Sequence, residues 1–99
     1  MYEVIISLEF KKSFKKLEKK IQDRVRKILE KLQTNLIGEA LKGDLQNFYS
    51  VHFERNKYRL IYFKQDHRIE ILAVHVGKRT NRFYDDFKKE LKRSSKEYC

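Results

Sequence analysis

The chain has 99 residues, with 24 Lys and Arg against 14 Asp and Glu and a formal net charge of +10. That length suits one domain with a single two-layered core. The excess of ten positive charges makes nucleic acid the leading partner class, because a positive potential concentrates polyanions; ion-pair networks of the thermostable kind explain many charges but not the imbalance. There is no long apolar run, no apolar leader, a single cysteine at Cys99, and no metal-like spacing among His52, His67 and His75. The expectation is therefore a cytoplasmic protein without a membrane partner, internal disulfide, metal or small-molecule cofactor.

Tyr2 to Leu8 is short and rich in aliphatic and β-branched residues, which predicts a strand. From Phe10 the period changes. Phe10, Phe14, Leu17, Ile21, Val25, Ile28 and Leu32 recur every three or four residues and line one face of an α-helix. Extending to about Gln33, that pattern is long for so small a domain, so a helical hairpin or kinked pair is expected, turning near Lys19 to Gln22. The lysines at 11, 12, 15, 16, 19 and 20 read first as a solvated face and second as an RNA-binding one. Thr34 to Leu45, with Asn35, Gly38, Gly43 and Asp44, reads as a loop.

Phe48 to Glu54 and Tyr58 to Lys64 read as strands joined through Arg55, Asn56 and Lys57. Gln65 to His67 turns again, and Arg68 to Val76 completes a meander. That last strand is apolar at nearly every position from Ile69, which predicts cover on both faces. The second cover is a helix from Phe83 to about Lys96, with Phe83, Phe87 and Leu91 on one stripe. The predicted class is α+β: an N-terminal strand, a helical hairpin, an antiparallel β-meander and a C-terminal helix, as one domain over residues 1–99.

Alternation places Arg59, Ile61 and Phe63 on one face of their strand, and Ser50, His52 and Glu54 on one face of the strand before it. Neighbouring strands bring Arg59 close to His52 when the register permits, and Arg79, directly behind Gly77 and Lys78, completes a cationic cleft. Guanidinium groups stay charged and meet phosphate oxygens with two parallel bonds. Such a cleft suits phosphodiester cleavage, whose transition state gathers negative charge. RNA carries its own nucleophile in the 2′-hydroxyl, leaving the protein to supply a base, an acid and a clamp. Tyr84 and His52 are the candidates for proton transfer, and an aromatic ring also stacks on an unpaired base. Taken singly, each arginine is better explained as structural: Arg59 paired with Glu54 or Glu70, Arg79 capping a strand end. A structural His52 weighs as much as a catalytic one, and Tyr49, Tyr58 and Tyr62 read as core or rim aromatics.

The segments YRLIY (Tyr58 to Tyr62) and VHVGKR (Val74 to Arg79), with Tyr84 opening the last helix, resemble the RelE/ParE superfamily of toxin–antitoxin toxins, and its RelE branch most. The order of elements agrees over nearly the whole chain, and VGKR is the most specific part. The resemblance implies a RelE-like fold and a toxin of a type II toxin–antitoxin system. Such a toxin enters the ribosomal A site, cuts mRNA there as a metal-independent endoribonuclease, and is held inactive by a cognate antitoxin. Carried over by position, Arg59 and Arg79 bind the scissile phosphate and Tyr84 lies near the 2′-hydroxyl. Lys78, Arg55, Lys57 and Arg82 are expected to contact the RNA.

Two departures stand out. Where the best-studied RelE proteins have two lysines in the strand before YRLIY, this chain has Ser50 and His52, and Tyr84 sits one position closer to Arg79. His52 is the residue that can replace the lysines as acid or base. The alternative is a ParE-like toxin that inhibits DNA gyrase by binding, without nuclease chemistry; a third reading is an RNA-binding module that clamps without cutting. Retention of Arg59, Arg79 and Tyr84 favours the ribonuclease, because ParE-type chains commonly lack the full set.

Overall fold

The computed structural model describes residues 2–64, 70–78, 80 and 83–93. Its elements are β1 (Glu3–Ile6), α1 (Leu8–Lys15), α2 (Lys19–Leu32), β2 (Glu39–Ala40), a short 3₁₀ turn (Gly43–Leu45), β3 (Phe48–Phe53), β4 (Tyr58–Phe63), β5 (Glu70–Lys78) and α3 (Phe83–Arg93). They form a five-stranded sheet in the order β1-β5-β4-β3-β2. The expected meander is present: β3 pairs antiparallel with β4, and β4 with β5. β1 adds to it in parallel, with Glu3 opposite Glu70 and Ile6 opposite Ala73. Parallel pairing needs a crossover, and the first link in it is the helical pair. The predicted turn from Gln65 to His67 and the helix beyond Arg93 lie outside the described residues.

The amphipathic run breaks at Lys16 to Glu18, ahead of the expected Lys19 to Gln22. Local bonds close the first helix there: Lys16 N–H donates to Ser13 O and Leu17 N–H to Phe14 O. Glu18 is extended and opens α2, while the Gln22 side chain donates back to Phe14 O at 3.0 Å. No Gly or Pro marks this break, so periodicity alone misplaces it. α1 begins earlier than its apolar stripe because buried Ser7 is its N-cap, its Oγ accepting from Phe10 N–H at 3.1 Å.

Two apolar layers cover the sheet. On one face Phe10, Val25, Ile28 and Leu32 of the helical pair pack on Val51, Leu60, Tyr62, Ile71, Ala73 and Val76. On the other, Phe83 and Phe87 of α3 pack with Leu45, Phe48, Ile61 and Val74. This double cover is why β5 reads as almost continuously apolar. Leu91, third on the predicted stripe, falls where only the helix backbone is described. Tyr62 sits wholly in the core, stacked on Tyr49 and donating its hydroxyl to Ile37 O at 2.7 Å. Burial, followed by the neighbouring Tyr49 and Tyr2, raises its pKa well above the usual phenol value.

Strand alternation does not run unbroken along β5. Ile61 faces His75, but Tyr62 faces Ala73, so Val74 is an extra residue on β5. The bulge changes the parity: Ile71 and Ala73 face the helical pair, yet beyond it Val76 does so. His75 and Gly77 are thereby turned toward α3, where the His75 ring lies 5.1 Å from Phe83 and 5.7 Å from Phe87. His75, which carried no motif, is a buried residue of this layer.

Within the expected loop, Glu39 and Ala40 form the edge strand β2 against Ser50 and Tyr49. Gly38 leads into it with φ of +100°, and a Cβ there would stand 2.5 Å from Ser50 O and 3.0 Å from Val51 Cγ2. Both the backbone angle and the space exclude a side chain. Gly38→Ala is expected to destabilise the fold by about 2–3 kcal/mol, read as a lowered urea midpoint at unchanged slope.

Candidate active site

Arg59, Ser50 and Tyr84 come from three elements and meet on the α3 face of the sheet. Arg59 Nη1 donates to the Tyr84 hydroxyl at 2.5 Å, and that hydroxyl donates onward to Ser50 Oγ at 3.2 Å. The guanidinium carbon also lies 5.2 Å from the Tyr84 ring centre. Strand pairing explains the meeting: Ser50 lies opposite Ile61 and His52 opposite Arg59, so alternate residues of β3 and β4 share this face. Tyr84 reaches it because Phe83 and Phe87 seat α3 on the sheet, with Phe83 N–H donating to Thr80 O to start the helix. Arg59 Nε is buried with no acceptor among the described residues. The guanidinium is thus partly desolvated at Nε while it faces the cleft, and a partly desolvated cation interacts with an arriving anion more strongly than a fully solvated one.

A cleft of about 680 Å³ opens beside this triad, lined by Arg59, Tyr84, Phe83 and Thr80 and, from the β3–β4 turn, by Arg55, Asn56 and Lys57. Its described lining holds three cations and no carboxylate, which makes it an anion trap. The turn that supplies two of those cations is strained. Glu54, Arg55 and Asn56 have φ of 51°, 56° and 68°, a left-handed run costing roughly 1 kcal/mol per non-glycine residue. It is closed by Lys57 N–H donating to Glu54 O at 3.0 Å and tethered by an ion pair from Arg24 Nε to the Glu54 carboxylate at 2.9 Å. That pair takes Glu54 away from Arg59 and removes one structural explanation of the arginine.

The other expected site residues fall as follows. Arg55 and Lys57 line the cleft. Lys78 ends β5, exposed, and lines an adjoining hollow. His52 is opposite Arg59 in the register, but it lines a separate hollow of about 280 Å³ beside Arg24, Lys27 and Lys31 of α2 rather than the Arg59 cleft. Arg79 and Arg82 lie outside the described residues. Ser50, the buried acceptor of the Tyr84 hydroxyl, was not among the expected site residues. Its place on the Arg59 face was legible from alternation; that Tyr84 would reach it was not.

Among the described residues no group of three or more His, Cys, Asp or Glu side chains is placed to hold a metal, and no helix is long and apolar enough to cross a membrane. A doubly covered mixed sheet carrying an arginine–tyrosine pair in a basic cleft is the frame of a small toxin of the RelE/ParE superfamily. Residues 4–88 match the model of the ParE-like toxins of type II bacterial toxin–antitoxin systems, and the chain belongs to that family. No curated protein matches the sequence.

Solved structures of similar fold include RelE toxins. The RelBE2 toxin–antitoxin complex of Mycobacterium tuberculosis has a chain 22% identical, with a TM-score of 0.70 over 79% of this chain and 91% of that one. The isolated E. coli RelE toxin is 23% identical, with a TM-score of 0.65 over 92% of this chain and all of that one. A mutant of E. coli RelE in the free state is 22% identical, with a TM-score of 0.71 over 91% and 97%.

Proposed function

We propose that this toxin is a metal-independent endoribonuclease that cleaves mRNA in the ribosomal A site and is restrained by a cognate antitoxin. The observation that carries the reading is the direct bond from Arg59 to the Tyr84 hydroxyl inside a cleft whose described lining is cationic without a carboxylate. In the reaction the 2′-oxygen bonds to phosphorus and the bond from phosphorus to the 5′-oxygen breaks. The 2′-proton leaves to a base, and the departing oxygen gains a proton. Arg59 meets the charge that gathers on the phosphoryl oxygens, and Arg79 is proposed, from the sequence resemblance, as the second guanidinium. Tyr84 is the proton-transfer group within reach of the cleft, its oxygen fixed by Arg59 on one side and Ser50 on the other. Arg55 and Lys57 steer the backbone of the RNA, and Lys78 and Arg82 are proposed as further contacts. His52, although opposite Arg59 in the register, lines the hollow beside α2 and is assigned no step in the reaction.

An antitoxin accords with two of the similar solved structures, the RelBE2 complex of M. tuberculosis and the RelBE complex of E. coli, and with a net charge of +10 that an acidic segment neutralises. The family model that matches is that of ParE-like toxins, and it favours a second reading, inhibition of DNA gyrase by binding alone. The two are separated by inducing the toxin and mapping transcript ends beside a supercoiling assay: cuts within translated codons support the ribonuclease, while intact message with blocked supercoiling replaces it. Tyr84→Phe keeps the ring and deletes the hydroxyl that joins Arg59 to Ser50. It is expected to slow single-turnover cleavage by about 10²-fold, and a rate within threefold of native would remove Tyr84 from proton transfer.

A further inference from the structure

A second hollow, of about 630 Å³, adjoins the Arg59 cleft, and Thr80 and Phe83 line both. It exists because β1 accompanies β5 only as far as Ala73, so that from Val74 to Lys78 the outer edge of β5 has no strand beside it among the described residues. The end of α1 turns toward that edge instead, with Ser13 Oγ 3.4 Å from His75 Nδ1. Lys16 behind α1, Lys78 at the end of β5 and Lys89 on α3 bring three exposed cations to the rim from three separate elements. Glu18 and Asp86 oppose them, leaving a net positive rim. The walls are apolar, formed by Leu17, Val76 and Phe83, and the half-buried Tyr58 adds an aromatic ring.

Gly77 lies on this wall, and packing does not require a glycine there. Its φ is not positive, and a Cβ would rest 3.7 Å from His75 Nε2 and from Phe83 Cε1, which is ordinary contact. What the missing side chain does is keep the wall shallow, on the residue paired with Arg59.

We propose that this hollow is a subsite for a nucleotide flanking the scissile phosphate, its base against the apolar wall with Tyr58 and its phosphate among Lys16, Lys78 and Lys89. The inference rests on the ribonuclease reading and extends it, since a strand of RNA leaving the Arg59 cleft past Phe83 enters this hollow next. Pairing of a base face with an aromatic ring and of phosphates with lysines is the ordinary chemistry of single-strand binding. A protein strand added to the open β5 edge would use the backbone groups but not the three lysines, so RNA is the better fit.

The test is a chemical-shift titration of the ¹⁵N-labelled toxin with 2′-O-methyl oligonucleotides, in which the blocked nucleophile lets binding be read without cleavage. The native protein is expected to bind a tetranucleotide about tenfold more tightly than a dinucleotide, the gain of roughly one stacked base, with the Gly77 and Lys78 amides moving only for the longer ligand. In the Lys16→Ala/Lys89→Ala variant, which touches exposed side chains alone, that ratio is expected to fall to about twofold. A native ratio near one, or a tenfold ratio that survives the double substitution, overturns the subsite and leaves the β5 edge to a protein strand. Failure to bind either ligand also overturns the subsite, whereas the parent reading fails separately, when induced toxin leaves translated message uncut.

Discussion

Arg59→Ala is expected to lower single-turnover RNA cleavage by about 10²- to 10³-fold, the range for removing one preorganised donor from a developing oxyanion. The effect should fall on the chemical step. Arg59 Nη1 holds the Tyr84 hydroxyl, so the substitution removes the proposed phosphate ligand and releases the phenol together. Arg59→Lys is expected to recover little, because an ammonium is a point charge without the planar fork that bonds tyrosine and phosphate at once. Folding is expected to survive. The guanidinium Nε is buried without an acceptor among the described residues, so its loss removes a desolvated donor rather than a satisfied bond. An alanine variant that melts at the native temperature and still cuts within tenfold of the native rate would sink the proposed mechanism.

Phe87→Ala is expected to cost about 3–5 kcal/mol of stability, a large part of the total for a domain this size. The ring is 1% exposed, meets Phe48 edge-on at 5.4 Å between centroids, and stacks on His75. It does not line the Arg59 cleft, yet it seats the helix that carries Tyr84. Cleavage should therefore fall with it, and both stability and cleavage should be partly restored by Phe87→Leu, which refills much of the hole. Urea unfolding read by circular dichroism gives the stability change, and cleavage below the transition reads the local effect. A Phe87→Ala protein with a native urea midpoint would show that α3 is held by something other than this aromatic layer.

Arg59 and Tyr84 were placed in one candidate site because two short segments and the tyrosine at the start of the last helix together resemble one family, whereas Arg59 alone reads as structural. The helical pair was legible from its apolar period, but its break was not, since Lys16 to Glu18 contains no residue that forbids helix and the stop is made by bonds to Ser13 and Phe14. β2 was invisible: two residues carry no period, and only the approach allowed by Gly38 makes them a strand. Alternation put Ser50, His52 and Arg59 on one face, and the register bears that out. It did not show that Ser50 rather than His52 receives the Tyr84 hydroxyl, because that depends on where α3 sits.

From the order of residues alone followed the α+β class, the meander, the amphipathic cover on each side and the cationic character, because periodicity, β-branching and net charge are properties of neighbours along the chain. Only the tertiary structure decided the parallel seat of β1 on β5, the bulge at Val74 that turns His75 and Gly77 toward α3, and the landing of the Tyr84 hydroxyl between Arg59 and Ser50. Each of these sets the distance between groups far apart in sequence, and such distances depend on how whole layers pack against one another.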